Sequence, residues 1–376
     1  MDILAAADAI AGAQGRAWPL IEGLAESGKM PPSLIFAGPE GSGKELLAVK
    51  LAARLNCEAA GSGAACGGAS RCPACAKARS LEHPDIHIIY AVPHGEMEKA
   101  LPEVLESRRE DFFVSGEFGG RARSIGIDLV RHVGDVLSKL PFEGRRTVVA
   151  LFEAHLATAE AQNALLKLLE EPPASAAIIL VTEFPDRLLP TVLSRCYEVR
   201  FDPLPAAAIA GFLEEFYSVD SSEARRLAAL AQGNLRRGIK LLEERFLRLW
   251  KDAGEAARLV VEGKAKELLA EAEGLAGSRD ARERARNYSR EEVAELLEEM
   301  VALFGLLIRN RDARLADAER EVLEETFGAK GLSAALARNL PADMRKISSS
   351  IESIRRNADM ELTLSQLFLD LAGAWR

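Results

Sequence analysis

The sequence predicts an α/β fold in which a parallel, doubly wound sheet is followed by a purely helical region. Three observations support this class. Short apolar runs of strand length alternate with helix-length segments as far as residue 203, which is typical of a parallel sheet with helical crossovers. A glycine-rich turn joins the first predicted strand to the next helix, as in other doubly wound domains. After Pro205 the strand pattern ends and helical periodicity takes over.

The elements of the first region follow from apolar runs and helix boundary signals. The predicted strands cover residues 33–37, 85–90, 148–152, 177–182 and 197–201. Val, Ile and Leu dominate these runs, as expected for strands with two buried faces. The predicted helices cover residues 44–55, 127–140 and 158–170. Thr158 is the predicted N-cap of the last of these helices. Clustered charges and glycines in residues 94–120 predict a surface insertion.

The second region is helical throughout. Residues 206–245 predict two or three short helices, with a turn at Gly233 and Asn234. Residues 246–290 are charged and rich in Glu, Arg and Ala, and residues 291–376 carry an apolar helical face. That apolar face is predicted to form the core of a helical domain. A separate domain is expected here, since a chain of 376 residues usually forms two or three domains.

The glycine-rich turn, residues 38–45, follows the phosphate-binding loop (P-loop) pattern G-x-x-x-x-G-K-[ST] except at its last position. Gly38, Gly41 and Gly43 allow backbone N–H groups to point into one concavity at a helix N-terminus, which favours anions, and Lys44 adds a positive charge. Glu45 stands where the pattern has the hydroxyl that binds Mg²⁺.

A second metal-binding side chain is also missing. The apolar run 147–152 resembles the strand that normally ends in the metal-holding Asp, and Phe152 occupies that position. The loss of both protein ligands of one ion predicts a fold that no longer hydrolyses nucleotide. Glu45 either stabilises the helix N-terminus through the helix dipole or repels nucleotide phosphates. We therefore expect weak or absent nucleotide binding; an impaired ATP site is the alternative.

Four of the five cysteines lie within nineteen residues, at Cys57, Cys66, Cys72 and Cys75. Cys72 and Cys75 form the usual two-ligand knuckle, and four thiolates can close a tetrahedral structural zinc site with no open position. Two disulfides and metal-free thiols are the alternatives, of which disulfides suit a reducing compartment poorly. Cys196 stands apart and is interpreted as a buried thiol.

Charge and hydropathy limit the possible cellular locations and binding partners of the chain. The N-terminus is acidic where a signal peptide needs basic residues, and no window is long and apolar enough for a membrane span. A cytoplasmic protein is therefore predicted. A net charge of −9 argues against binding DNA or RNA over a large surface. It remains compatible with local phosphate contacts, or with membership of a basic assembly.

Several motifs in a fixed order give the chain a resemblance to a known family. The P-loop and the four cysteines are followed by His83-Pro84-Asp85, by residues 161–173 (AQNALLKLLEEPP) and by Ser194-Arg195-Cys196. This order resembles subunits of the bacterial DNA polymerase III clamp loader, which are AAA+ proteins. The likeness covers nearly the whole chain and includes Asn357-Ala358-Asp359, which is similar to the start of that family's last collar helix. The broken metal motifs resemble the delta-prime branch more than the ATP-hydrolysing gamma/tau branch.

The resemblance implies a domain plan and a set of partners. It implies an AAA+ P-loop domain over residues 1–203 with a zinc module at 57–75, a helical lid over 204–245, and a linker with a C-terminal collar domain for oligomerisation over 246–376. The implied partners are gamma/tau and delta subunits, with the sliding clamp and primer-template DNA reached through the hetero-oligomer. Two departures are the longer spacing between Cys66 and Cys72 and the longer 94–120 segment.

The resemblance also implies roles for single residues. Arg195 follows the fourth strand of the sheet, at the end where nucleotide sits in such folds, and would act as an arginine finger on a neighbouring subunit's ATP. The alternative is a surface or salt-bridged Arg. Arg236 resembles a lid arginine that senses phosphate in the same chain, and is expected to be structural here. Thr182 matches the family's sensor position at a strand end.

Two main functions remain open at the level of the sequence. The first is a non-hydrolysing subunit of a clamp-loading assembly, with structural zinc and no ATP hydrolysis of its own. The alternative is an autonomous AAA+ ATPase in which Glu45 or Glu153 helps to hold Mg²⁺. A zinc-dependent nucleic-acid module is disfavoured by the acidic charge balance.

Overall fold

A computed structural model describes residues 1–58, 72–113, 122–276, 288–311 and 317–373 of the chain. The chain divides into two compact units, Met1–Ile239 and Lys240–Arg376. The first unit contains the sheet and the P-loop. The second unit is helical in its described residues.

The first unit is built on a five-stranded sheet whose order is β2-β5-β6-β1-β7, with every neighbouring pair parallel. A short antiparallel pair, β3 with β4, lies apart from it. The strands are β1 (Ser33–Ala37), β2 (Ile86–Ile89), β3 (Val92–Pro93), β4 (Arg123–Ser124), β5 (Thr147–Leu151), β6 (Ala176–Thr182) and β7 (Tyr197–Arg200). Every residue of β1, β5 and β6 is buried, which explains why these strands are continuous apolar runs.

Helices connect and cover these strands. They are α1 (Ile3–Ala11), α2 (Ala17–Glu26), α3 (Lys44–Asn56), α4 (Pro73–Arg79), α5 (Met97–Glu110), α6 (Ile127–Leu137), α7 (Ala159–Glu170), α8 (Pro190–Leu193), α9 (Ala206–Tyr217), α10 (Ser221–Ala231) and α11 (Leu235–Lys240). Thr158 caps α7 as predicted, since its side chain accepts a hydrogen bond from the Ala161 N–H. Helix α3 begins at Lys44, and the preceding residue, Gly43, has a left-handed backbone conformation.

The second unit packs helices around a shared apolar core. They are α12 (Glu244–Glu262), α13 (Ala265–Ala276), α14 (Arg290–Arg311), α15 (Asp317–Leu336, with a kink at Gly328), α16 (Leu340–Arg355) and α17 (Met360–Ala372). The predicted apolar face of α14, including Leu296, Met300 and Phe304, is wholly buried. Arg338 links three helices of this unit, because it donates hydrogen bonds to the carbonyl oxygens of Val260 and Leu371 and to the Asp343 carboxylate.

The predicted fold class, a P-loop α/β domain with a parallel, doubly wound sheet followed by helices, is confirmed by this architecture. One expectation was wrong. The 94–120 segment is not simply a surface insertion, because its described part forms α5, which buries Leu101, Val104 and Arg108. Its later residues, 114–120, lie outside the described part of the chain. The predicted division at residues 203 and 245 stays a prediction. No helix in the described ranges is long and apolar enough to cross a membrane.

Candidate functional site

The P-loop lies between β1 and α3, and two glycines make its tight course possible. Gly41 and Gly43 have φ angles of 66° and 85°, in the left-handed region that favours glycine. A Cβ on Gly43 would lie 2.3 Å from Ile10 in α1. A Cβ on Gly41 would lie 1.9 Å from the side-chain oxygen of Asn234. The loop is therefore pressed between α1 and the start of α11.

Lys44 is satisfied by the loop itself. Its Nζ donates to the Pro39 carbonyl oxygen at 2.5 Å and lies 3.3 Å from Ser42 Oγ. The residue is 5% exposed, and burial lowers the pKa of Lys44 to about 8, against the opposing effect of Glu183 and Glu45. The ammonium group predicted to bind phosphate is thus present, but it is hydrogen-bonded to residues of its own loop.

Glu45 makes two ion pairs with arginines from distant parts of the chain. Its Oε2 lies 3.0 Å from Arg108 Nη1 and 3.0 Å from Arg236 Nη2. Burial alone would raise the pKa of Glu45, but Arg236 and Arg108 outweigh it and hold the pKa below its ordinary range. The position that holds a metal-binding hydroxyl in active P-loops is therefore occupied by a carboxylate that pairs with two arginines through one oxygen.

The first of these arginines, Arg108, comes from α5. It is 3% exposed, and its guanidinium lies over the Tyr90 ring at 4.7 Å. Its Nη1 also donates to the Phe112 carbonyl oxygen. Arg108 therefore joins α5 and the residues after β2 to the P-loop.

The second arginine, Arg236, comes from α11 and also lies 3.7 Å from Glu40. Although burial opposes it, the carboxylates of Glu45 and Glu40 raise the pKa of Arg236, so it remains fully charged. The expectation that Arg236 is structural agrees with these contacts, but its role in the whole protein stays a prediction.

These contacts leave little room for a ligand. The cavity beside the P-loop has a volume of about 40 Å³ and is bordered by Lys44, Phe112, Phe113, Glu183 and Arg236. The contacts of Lys44 and Glu45 therefore narrow the space beside the P-loop in this conformation.

The second lost metal ligand, Phe152, is part of the core. It is fully buried and meets Tyr90 edge to face, with ring centroids 5.1 Å apart.

The next residue, Glu153, has a left-handed φ of 54°, an uncommon conformation for a residue other than glycine. Both of its carboxylate oxygens pair with Arg123, at 2.9 and 3.0 Å. Burial nevertheless raises the pKa of Glu153, and Arg123 only partly opposes this. Both carboxylate oxygens of Glu153 are therefore already engaged by an arginine.

Polar residues follow β6 on the other side of the cavity. Thr182, the predicted sensor position, is buried; its Oγ1 accepts a hydrogen bond from the Phe184 N–H at 3.1 Å and lies 3.3 Å from His155 Nδ1. Burial and the nearby cation Arg187 lower the pKa of His155 to about 4, so its ring is neutral at pH 7. Burial and the nearby Glu40 raise the pKa of Glu183 to about 7.

Three of the four predicted zinc ligands converge. The Sγ atoms of Cys57, Cys72 and Cys75 lie within 4.8 Å of one another, and all three residues are buried. Sulfurs that share a tetrahedral zinc with bonds of 2.3 Å stand about 3.8 Å apart, so the cluster fits zinc. Burial opposes ionisation of Cys72, but N–H groups of Cys75 and Glu58 hold its pKa below the ordinary value. The fourth predicted ligand, Cys66, lies outside the described residues.

The described cysteines form no disulfide with one another. Cys196 is half-buried and stands apart from the cluster; burial raises its pKa to about 12. Its partial exposure differs from the buried thiol predicted from the sequence, and the raised pKa disfavours the reactive thiolate.

Arg195 does not border the P-loop cavity of its own chain. Its Nη2 pairs with Glu170 Oε1 at 2.5 Å, and its Nη1 donates to the Thr191 carbonyl oxygen at 2.9 Å. Its side chain remains 34% exposed. The salt-bridged alternative of the sequence analysis therefore describes this conformation, while the finger role stays a prediction.

Residues 13–205 match the sequence model of a known protein family, which is described as DNA polymerase III, delta subunit. This match covers just over half of the chain. The chain belongs to that family. The predicted kinship with delta-prime subunits, related to gamma/tau, is likewise confirmed.

Curated relatives agree with this family. The chain is 31% identical to DNA polymerase III subunit delta' of Bacillus subtilis over 219 residues, which is 57% of this chain and 55% of that protein. It is 35% identical to the Pseudomonas aeruginosa delta' subunit over 175 residues, 46% of this chain and 44% of that protein. The chain thus matches about half the length of these relatives.

A solved structure of a DNA polymerase III gamma subunit-related protein from Thermotoga maritima covers 95% of this chain and 99% of its own, at 18% identity and a TM-score of 0.42. A likeness at this level carries no argument about function. The strand order described above is what establishes the fold.

Sequence reasoning missed the partners of the lost catalytic groups. Arg108 lies in a charged stretch of α5 with nothing local to mark it as buried, and it is 63 residues from Glu45. Arg123 is 30 residues from Glu153. The one available signal was that unpaired carboxylates at Glu45 and Glu153 would each require a cation once buried.

Proposed function

We propose that this chain is a non-hydrolysing subunit of a DNA polymerase III clamp loader, which helps to load the sliding clamp on primed DNA. Its partners are gamma/tau and delta subunits in a cytoplasmic hetero-oligomer, and the clamp and primer-template DNA are reached through that assembly. The proposal includes the division into a P-loop domain (1–203), a lid (204–245) and a collar domain (246–376), with zinc as structural cofactor.

One observation carries this proposal. Both side chains that should hold the catalytic metal are replaced, and both replacements are engaged elsewhere: Glu45 with two arginines, and Phe152 in the core against Tyr90. A catalytic carboxylate at Glu153 is likewise held by Arg123. Family membership supplies the setting in which a subunit without hydrolysis has a use.

The autonomous ATPase is the weaker candidate. It would need Glu45 or Glu153 to bind Mg²⁺, yet each already pairs with arginine at about 3 Å.

Turnover of ATP by the purified chain separates these two functions. We expect the wild-type chain to release phosphate no faster than the Lys44→Ala variant. Turnover that is clearly above this control would establish the ATPase and reject the non-hydrolysing subunit. Weak ATP binding without turnover agrees with the proposal, because the backbone of the loop is retained.

The proposed role of Arg195 is an arginine finger in trans. A guanidinium offers a planar fork of donors suited to the γ-phosphate of a neighbouring subunit's ATP, and it neutralises charge in the transition state. Its partial exposure and its location beyond its own cavity support a role towards a neighbour. To reach a phosphate, it would exchange the Glu170 carboxylate for a phosphate oxygen.

Reconstituted complexes test this role. Arginine fingers contribute on the order of 10³–10⁵ in rate at the site they serve, so Arg195→Ala complexes should load clamps more slowly and lose part of the DNA- and clamp-stimulated ATPase. Arg195→Lys should not restore it. The matched control is Arg200→Ala, since Arg200 is 81% exposed and pairs with Glu198 in the neighbouring part of the chain. Wild-type loading by Arg195→Ala complexes at equal assembly would reject the finger.

A further inference from the structure

Three cations surround Glu45 at the first turn of α3. Arg108 and Arg236 pair with it directly at 3.0 Å, and Lys44 precedes it in the chain. Lys44 and Arg108 are at most 5% exposed, and Arg236 has a side chain 16% exposed. The Nε of Arg108 has no hydrogen-bond partner among the described residues. Two other carboxylates, Glu40 and Glu183, lie nearby, but Glu45 alone joins both arginines.

The start of α11 is fastened to the P-loop residue by residue. Asn234 Nδ2 donates to Glu40 Oε2 at 3.1 Å, the Leu235 N–H donates to the Gly41 carbonyl oxygen at 3.0 Å, and Arg236 pairs with Glu45. The absence of a Cβ on Gly41 allows the Asn234 side chain to approach this closely. All of these contacts lie within the first unit.

We propose that the Glu45 carboxylate is a built-in anion that takes the place of a nucleotide phosphate and holds α5 and α11 on the P-loop when no nucleotide is bound. The concavity at a helix N-terminus favours an anion, and here the anion is covalently part of the helix. The proposal does not depend on a role in clamp loading, so the failure of one leaves the other standing.

A plain helix-dipole role for Glu45 would not require these partners. A carboxylate in a first helical turn is stabilised by about 0.3–1 kcal/mol without any arginine. The two arginines come from positions 63 and 191 residues away, and both are withdrawn from solvent to reach this one group. Removal of the carboxylate would leave two buried cations, Lys44 and Arg108, and the partly exposed Arg236 around an anion-shaped concavity, an unfavourable state that a phosphate would relieve.

The experiment uses the full chain and inorganic pyrophosphate without Mg²⁺ as the probe. Amide hydrogen exchange is followed in peptides covering residues 104–113 and 231–240, together with thermal unfolding. In Glu45→Ala we expect exchange in both peptides to become roughly 10- to 100-fold faster, because two charge-assisted hydrogen bonds are lost. Millimolar pyrophosphate should restore slow exchange and raise the melting temperature of the variant, while it leaves the wild type unchanged.

Controls keep the result interpretable. Glu106→Ala removes the carboxylate of an exposed ion pair with Arg109 on the same helix, and should alter neither exchange at 231–240 nor the response to pyrophosphate. Glu45→Gln keeps the side-chain shape and serves if Glu45→Ala does not fold; it should show the same gain of pyrophosphate response. Arg236→Gln should loosen residues 231–240 without rescue by pyrophosphate.

Two outcomes would overturn the proposal. One is exchange at wild-type rates in folded Glu45→Ala and Glu45→Gln, which would mean that the carboxylate does not hold the two helices. The other is pyrophosphate stabilising the wild type as strongly as the variants, which would mean that Glu45 does not occupy the anion site.

Discussion

At the scale of single residues, two glutamates beside the P-loop behave in opposite ways. Glu45 meets two arginines and keeps a low pKa. Glu183 lies at the end of β6, and burial and the neighbouring Glu40 raise its pKa to about 7, although Lys44 partly offsets this. The same cavity therefore holds one permanent anion and one carboxyl group that titrates near neutral pH.

Because the pKa of Glu183 is raised in the folded chain, the free energy of unfolding should fall as the pH rises. The contribution of Glu183 to stability is fully present below the ordinary pKa of 4.5 and is lost as pH rises towards the folded value of about 7. At pH 8 we expect the free energy of unfolding of Glu183→Gln to exceed that of the wild type by about 1–2 kcal/mol, after allowance for the partial exposure of Glu183. At pH 5 the difference should be much smaller. Denaturant unfolding at both pH values measures it.

The matched control for this prediction is Glu171→Gln, which changes an exposed glutamate. Its effect should be small and equal at pH 5 and pH 8. A Glu183→Gln effect that does not change between the two pH values would show that Glu183 does not titrate in this range on folding.

At the scale of elements, the loop between α6 and β5 shows how polar groups fix a segment. The Asp85 carboxylate accepts N–H groups of Phe142, Glu143 and Gly144 at 2.6–3.0 Å. Phe142 is nevertheless 85% exposed, and Leu140 is 87% exposed. The loop therefore presents two apolar side chains from a fixed backbone. Asp85 belongs to the His83-Pro84-Asp85 motif of the sequence analysis, and this anchoring is the physical role that the motif has here.

The cysteine cluster predicts a zinc ion with a local effect. Wild-type chain purified without added metal should contain about one zinc, whereas Cys72→Ser should contain much less. Structural zinc is needed for folding in small modules, but this site is attached to a large core. Loss of zinc should therefore speed hydrogen exchange in residues 57–79 far more than it lowers the melting temperature.

Cys196→Ser is the control for the zinc prediction, because Cys196 stands apart from the cluster and should leave the zinc content unchanged. Metal analysis and thiol titration give the result. A wild-type content far below one equivalent, with freely titrating thiols, would reject the site, whereas global unfolding of Cys72→Ser would reject the local effect.

Local patterns were sufficient to predict most elements of the sheet. The first strand matched at both ends, and the Thr158 cap was found, because hydrophobic runs and cap residues act over a few neighbours. Helix α6 ends at Leu137 and not at residue 140, because the following residues enter the loop that Asp85 holds. The burial of α5 could not be predicted, since it depends on Glu45 and Tyr90, which are distant in sequence.

At the scale of the whole molecule, the chain divides into two compact units. Every contact of Glu45, Glu153 and the cysteine cluster described above lies within the first unit. The nucleotide-site geometry is therefore a property of that unit, and the second unit is not needed to form it.

This organisation predicts that a fragment covering residues 1–243 folds without the remainder. The fragment should unfold cooperatively, bind zinc as the full chain does, and show the same slow hydrogen exchange at residues 231–240. Circular dichroism, metal analysis and exchange on the two proteins provide the comparison. A fragment with native helix content but no cooperative transition, or with fast exchange at 231–240, would contradict the prediction.

The ring pair of Phe152 and Tyr90 has a consequence for any attempt to place a metal-binding aspartate at position 152. Phe152 is fully buried, and the Tyr90 ring that it meets also lies against the Arg108 guanidinium. An aspartate at this position would place a charge inside the core before any metal could bind it, at a cost of several kcal/mol. A single Phe152→Asp substitution is therefore expected to destabilise the chain before it can contribute any affinity for a metal.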